Sequence, residues 1–171
     1  MTKKPISRDS TRVPDDLVWM GIALEEARAA AEQGEVPVGA LVISNHEIVG
    51  RAGNRNLRDH DPTAHAEVVA LRQAAQRLGN HRLTGCVLYA TIEPCAMCAG
   101  AIIHSRIARL VYGARDIKAG AAGSVLEVMN HPRLNHKVEV VSGVLEDRCS
   151  AILQDFFRRR REQRPLDALE P

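Results

Sequence analysis

Leu17, Met20, Leu24, Ala27 and Ala31 recur at helical spacing behind Pro14-Asp15-Asp16, and Gly34 breaks the pattern. Proline and acidic residues suit a helix entry and glycine suits an exit, so the pattern predicts a helix from Asp15 to Gln33. Val36 to Ser44 and Glu47 to Ala52 are rich in β-forming residues and separated only by Asn45-His46, which predicts an antiparallel hairpin. Thr63 can cap a helix that runs to Leu78, with Gly79 as its stop. The β-rich stretch Cys86 to Ile92 leads into a second short helix, opened by Pro94. Further on, Ile107 to Tyr112 predicts a strand, Ser124 to Asn130 a short helix, Val138 to Leu145 a strand, and Glu146 to Arg161 a last helix.

Strands that alternate with helices after an opening hairpin imply a mixed sheet covered on both faces. The expected fold is therefore α/β, a three-layer α/β/α sandwich with a mixed sheet of about five strands and about five helices. A chain of 171 residues, 45% of them hydrophobic, can bury one good core, so one domain is expected over residues 14–161 between disordered tails at 1–13 and 162–171. No apolar run approaches the ~18 residues a bilayer demands, and Met1 to Val13 is polar rather than basic and then apolar. The expectation is therefore a cytoplasmic protein with neither a membrane-spanning helix nor a secretory leader of ordinary type.

The net charge of +2 says little about partners, because distribution makes an electrostatic footprint. Arg158 to Arg161 and Arg164 form a basic run that, taken alone, reads as a solvated helix end. The four cysteines, Cys86, Cys95, Cys98 and Cys149, need not staple a chain of this size, and a close Cys-x-x-Cys reads first as metal or redox.

Cys95 and Cys98 follow Pro94 and share one face of a helix's first turn, where unpaired N–H groups favour thiolates. By itself the motif leaves metal binding, redox chemistry and plain packing open. His65-Ala66-Glu67 supplies a third element, because one imidazole and two thiolates leave a tetrahedral zinc with one free position. An open position points to catalysis, and Cys86 and Cys149 read as buried core thiols rather than a fourth ligand. Leu71, Ala74 and Leu78 follow Glu67 at helical spacing and put its carboxylate on an inward stripe, where an unpaired charge is costly. Such a carboxylate beside an open zinc can take a proton from water and return it elsewhere, in amide cleavage as well as in deamination.

His-x-Glu with Pro-Cys-x-x-Cys is the zinc signature of cytidine-type deaminases. Around it stand Glu35-Val36-Pro37-Val38-Gly39-Ala40, Asn54, Asp61-Pro62-Thr63-Ala64 and Glu93-Pro94-Cys95-Ala96-Met97-Cys98-Ala99-Gly100. Gly113-Ala114-Arg115-Asp116 and Gly120-Ala121-Ala122-Gly123-Ser124 come next. Through these stretches the chain resembles the bacterial tRNA-specific adenosine deaminases, of the cytidine-deaminase-like superfamily, over Asp16 to Arg161.

The resemblance implies hydrolysis of adenosine to inosine at the wobble position of a tRNA anticodon, with an arginine tRNA as the expected substrate. It implies one Zn2+ per subunit on His65, Cys95 and Cys98, with Glu67 as catalytic acid and base. Asn54 would contact the base, and Asp116 the ribose. In that setting Phe157 becomes a stacking platform, while Phe156 packs in the apolar stripe of Cys149, Ile152 and Leu153; Arg158 and Arg160 become phosphate contacts. The family is homodimeric, which implies a dimer through the cysteine helix and its neighbours, His104-Ser105-Arg106 among them, gripping a tRNA anticodon stem-loop. The zinc motifs alone leave two other readings open. One is a deaminase of free cytidine, deoxycytidylate or guanine, and the other an inactive zinc module that binds RNA.

Overall fold

The computed structural model describes residues 12–163. Of the expected tails at 1–13 and 162–171, residues 1–11 and 164–171, Arg164 among them, lie outside the described residues, while Arg12 and Val13 belong to the first helix and Glu162 to the last. Helix α1 (Arg12–Glu32) precedes the hairpin β1 (Gly39–Ser44) and β2 (Glu47–Gly53), a single turn α2 (Asn56–Asp59) and α3 (Ala66–Leu78). Then come β3 (Val87–Ile92), α4 (Ala96–His104), β4 (Arg109–Ala114), β5 (Glu139–Val141) and α5 (Glu146–Glu162). The five strands form one mixed sheet in the order β2-β1-β3-β4-β5. β1 runs antiparallel to both β2 and β3, while β3, β4 and β5 are parallel.

Alternation along the central strands builds the layers. Ala40 and Val42, Leu88 and Ala90, Leu110 and Tyr112 point to one side, into a core shared with Val69, Ala70 and Ala74 of α3 and Ile102 of α4. Leu41, Ile43, Tyr89 and Val111 point to the other, against Met20 and Leu24 of α1 and Cys149 of α5. This is the three-layer sandwich the pattern predicts. Close approach of α3 to the sheet depends on Gly50, where any Cβ would collide with the Ala70 carbonyl. None of the described helices is long and apolar enough to cross a membrane.

Several elements differ from expectation, each for a physical reason. Leu17 is 45% exposed, and Asp16, 6% exposed, faces inward in its stead. Asp16 can be buried because Arg109 donates two hydrogen bonds to its carboxylate, at 2.9 and 2.7 Å, and Tyr89 donates a third at 2.7 Å. Thr63 does not cap α3; its N–H and hydroxyl both donate to Asp61 Oδ1 at 2.7 Å, and the N-cap residue is His65. Helix α4 starts after Cys95 rather than at Pro94. The hairpin's first strand starts at Gly39, not Val36, and the last strand is only Glu139–Val141.

Ser124 to Asn130 is not a helix. Its amides are drawn to distant acceptors: Ser124 N–H to Glu93, Val125 and Leu126 N–H to the Gly120 carbonyl, Val128 N–H to the Ala121 carbonyl. The helix that the sequence reading lacks is α2, one turn long and held from outside by the buried Glu35, whose carboxylate accepts the Arg58 N–H at 2.9 Å.

Candidate active site

Two helix N-termini converge at one end of the sheet. His65 is the N-cap residue of α3 (φ −68, ψ 149) and Cys95 that of α4 (φ −72, ψ 174), both extended rather than helical. The extended backbone decides the geometry. On a regular helix His65 and Glu67, two apart, would point almost oppositely, but a residue half outside the helix escapes that constraint. Cys98, in the first turn of α4, is fully buried.

His65 Nδ1 lies 3.6 Å from Cys95 Sγ and 3.5 Å from Cys98 Sγ, and the three ligand atoms all fall within 4.8 Å of one another. A tetrahedral zinc, with Zn–S ~2.3 Å and Zn–N ~2.0–2.1 Å, separates nitrogen from sulfur by ~3.6 Å. Both nitrogen–sulfur edges therefore match a zinc tetrahedron with its fourth corner open, and the donor set of one imidazole and two thiols suits that ion. Among the described residues it is the one cluster able to hold a metal. Cys86 and Cys149 are free thiols buried in the core, away from it.

The electrostatics suit a cation. Hydrogen bonding from Cys98, then from His65, pulls the Cys95 thiol down to about 3, and the pairing with Cys95 raises the His65 imidazole. Cys98, hydrogen-bonded to Cys95 and buried, is pushed up in turn. Glu67 is 2% exposed, and burial raises its carboxyl above the ordinary range. It lies on the inward stripe with Leu71 and Ala74, although Leu78 at the stripe's end is 42% exposed.

His65, Glu67 and Cys95 line a cavity of about 420 Å³, within the range of small-molecule sites. Val36 and Val38, from the stretch that falls short of β1, form apolar wall, and Asn54, Glu93, Asp116, Lys118 and Phe157 are among the other residues that line it. Asn54 is buried at the end of β2, and its Oδ1 accepts the Ala66 N–H at 2.9 Å, leaving its two Nδ2 donors for an occupant. Asp116 Oδ1 accepts the N–H groups of Lys118 and Ala119 at 2.9 and 3.0 Å, a local turn that shapes the wall it belongs to.

The terminal helix divides its residues between two grooves. Phe157, 43% exposed, reaches the cavity and also a neighbouring groove that it shares with Lys118, Arg158 and Arg161. Arg160 is on another side, in a groove toward α1 with Arg28 and Arg159, its guanidinium 5.5 Å from the centre of the Phe156 ring. Phe156 is half-buried and edge-on to Phe157, with ring centres 5.5 Å apart; it belongs to neither core cluster. The structure thus brings His65, Cys95, Cys98, Glu67, Asn54, Asp116 and Phe157 together, sets Arg158 next door, and keeps Arg160 apart.

Sequence reasoning missed Glu93 and Lys118. Glu93 is 1% exposed; burial opposes its charge, but hydrogen bonds from Ser124, Asp116 and Ala122 outweigh that and hold its carboxyl below the usual range. An acidic residue next to Pro94, directly after an apolar strand, was the available signal.

A cavity lined by a one-histidine, two-cysteine centre and a buried carboxylate, on a three-layer sandwich, is the arrangement of the zinc deaminases. The family described as MafB19-like deaminase matches residues 14–161. The chain belongs to the tRNA-specific adenosine deaminases within that class. It is 48% identical over 153 residues to the tRNA-specific adenosine deaminase of Haemophilus influenzae, spanning 89% of this chain and 88% of that protein. It is 44% identical over 149 residues to that of Bacillus subtilis, spanning 87% and 92%. Among solved structures, one from a study of A-to-I editing by tRNA:A34 deaminases at the wobble position of transfer RNA matches with TM-score 0.77 at 45% identity, over 80% of this chain and 99% of that one. A guanine deaminase from Nitrosomonas europaea matches with TM-score 0.73 at 25% identity, over 91% and 96%.

Proposed function

We propose that the protein hydrolyses adenosine to inosine at the wobble position of a tRNA anticodon, releasing ammonia. The observation that carries the reading is the placement of the buried Glu67 carboxylate in one cavity with the His65, Cys95 and Cys98 cluster. His65, Cys95 and Cys98 would hold a zinc ion, which would supply Lewis acidity that lowers the pKa of water to about 7.

The residues of the chain do the rest. Glu67 accepts the proton of the attacking water, delivers it to the ring nitrogen of the adenine amidine, and then passes the second proton to the departing amine. Burial suits it to this, since a carboxyl that holds a proton readily can carry one between two steps. Val36 and Val38 pack the base, Asn54 donates to it, and Asp116 meets the ribose. Phe157 offers a ring on which a flanking base of a splayed anticodon loop can stack. Arg158, beside Lys118 and Arg161, offers charge to the backbone phosphates, while Arg160 has access only to RNA that extends around α5.

The identity to tRNA-specific relatives favours adenosine in tRNA over a free base, although a guanine deaminase shares the fold. Incubating the purified protein with an anticodon stem-loop carrying adenosine at the wobble position, and mapping inosine by sequencing, tests the reading. Inosine at that single position supports it; turnover of free guanine or cytidine alone overturns it. An arginine tRNA is the expected acceptor within total tRNA.

The working unit is a homodimer in the cytoplasm. Met97, Gly100, Ala101 and His104 fall on one side of α4, and Met97 is 36% exposed although its helix is strongly apolar. A second copy of α4 and its neighbours would cover that face. Sedimentation that finds a fully active monomer overturns the dimer.

A further inference from the structure

Glu93 sits between β3 and the Pro94-Cys95 segment, and its side chain is almost wholly enclosed. No cation pairs with it among the described residues. Its charge is instead met by donors from one loop, residues 115–124. Oε1 accepts the N–H groups of Ala122 and Ser124, both at 3.0 Å. Oε2 accepts the Asp116 N–H at 3.1 Å and the Ser124 hydroxyl. The same loop is strapped to the metal-ligand segment by the main chain: Ala121 N–H donates to the Pro94 carbonyl at 2.8 Å, and Gly120 bridges to Cys95. At Gly120 a Cβ would collide with the Glu93 carboxylate and come within 2.5 Å of the Asp116 carbonyl, so the loop closes around this one side chain.

Four donors spread over nine residues of chain cannot be satisfied at once by solvent in a buried place, nor by another acceptor of the loop itself. A carboxylate is the one side chain with two oxygens and about four lone-pair positions, all accepting. The loop carries Asp116 and Lys118, two walls of the cavity, and nothing else recorded in the structure fixes the Asp116 N–H.

We propose that Glu93 is a positioning residue for substrate: it locks the 115–124 loop to the Cys95 segment, so that the wall that receives the target nucleotide and the metal cluster are built as one rigid unit. Glu93 itself borders the cavity, but both its carboxylate oxygens are taken by the donors of the loop and are not offered to substrate or metal. Its effect falls on how well the nucleotide is held, not on the chemical step, and the inference rests on the deaminase reading of the cavity.

Glu93→Gln tests this, because the amide keeps one acceptor oxygen and turns an NH2 donor toward the remaining donors of the loop. On a wobble-adenosine stem-loop the expected result is a KM raised ~10-fold or more with kcat within ~3-fold of the parent, the split that marks lost substrate binding. Zinc content should stay at one per chain, and exchange of the Asp116 and Ser124 amides with solvent deuterium should quicken. Should Glu93→Gln fail to fold, Ser124→Ala removes a single donor and gives the same split in smaller measure. An unchanged KM, a loss confined to kcat, or a loss of zinc in the folded variant overturns the proposal. The parent protein on the same stem-loop is the control: if it makes no inosine, the functional reading fails rather than the role of Glu93.

Discussion

Asn54 Oδ1 accepts the backbone N–H of Ala66 at 2.9 Å, across the gap between the end of β2 and the start of α3. The N-cap position of α3 is held by His65, which makes no side-chain cap hydrogen bond. A capping serine or threonine would satisfy that helix end but could not bind zinc through a ring nitrogen. Asn54 satisfies part of it from another element and so frees the N-cap position for a metal ligand.

On the proposed reading Asn54 has two separable duties, one per end of its amide. Asn54→Ala loses both, and unfolding should become easier by ~1 kcal/mol, a fall in Tm of ~2–4 °C for a chain of this length. Asn54→Asp keeps an acceptor for Ala66 N–H but loses both donors to the cavity. It should melt within ~2 °C of the parent and yet show a turnover lowered by ~10-fold or more. Equal losses of Tm in the two variants would show that capping is not what the oxygen does.

Glu67 has one duty. Glu67→Gln preserves shape and burial while removing the ability to accept a proton, and general acid–base catalysis contributes ~10²- to 10⁴-fold in rate. Turnover should drop by at least ~10²-fold while zinc per chain, read by metal analysis, is unchanged. Removing zinc with a chelator should abolish turnover in the parent, and returning it should restore activity. Full activity in Glu67→Gln would remove Glu67 from the chemistry.

The ligands and the carboxylate were legible because each needs only short-range information. Two cysteines three apart, a histidine two before a glutamate, and an apolar stripe behind that glutamate all lie within one helix turn or two. The layers were legible for the same reason, since strand alternation assigns faces locally. What could not be read depends on partners far along the chain. Ser124 to Asn130 has helical spacing, but its amides are claimed by Glu93 and Gly120, and Val125 and Leu126 remain about half exposed. Leu17 looks like core until Arg109, from the fourth strand, draws Asp16 inward. Helix α2 is a single turn, too short to show a period. Glu93 looks like an ordinary acidic residue because its four donors lie 23 to 31 positions on.

Asp61 shapes the approach to His65. Hydrogen bonds from the Thr63 hydroxyl and N–H hold its carboxyl below the ordinary 3.8. A group whose folded pKa is depressed contributes stability that is fully present above the unfolded value and is lost as pH falls through the folded one. Stability from this turn should therefore be constant above about pH 5 and decline on acidification below about pH 4. Asp61→Asn keeps an acceptor for Thr63 but does not titrate. Urea midpoints measured between pH 6 and pH 3 should show a shallower acid limb in the variant, and parallel limbs would assign the acid loss to other carboxylates.

The four consecutive arginines of α5 cannot all serve one RNA strand, because helical geometry turns neighbours by about 100°. Arg158 and Arg161, three apart, border the groove that continues the cavity past Lys118 and Phe157, while Arg159 and Arg160 border the groove toward α1. Arg158 pairs with Asp155 at 2.8 Å, but both side chains are more than half exposed, so the pair is weak and can be exchanged for a phosphate. Each phosphate contact to a single strand adds ~0.7 to the slope of log affinity against log salt. Arg158→Ala with Arg161→Ala should weaken stem-loop binding and flatten that slope by about 1.4. Arg159→Ala with Arg160→Ala should leave both nearly unchanged and act mainly by removing the cation above the Phe156 ring. Salt titrations of the two double variants on one stem-loop decide the matter. Equal losses would mean that the RNA wraps α5 on both sides, and a larger loss from the second pair would place the backbone path along α1.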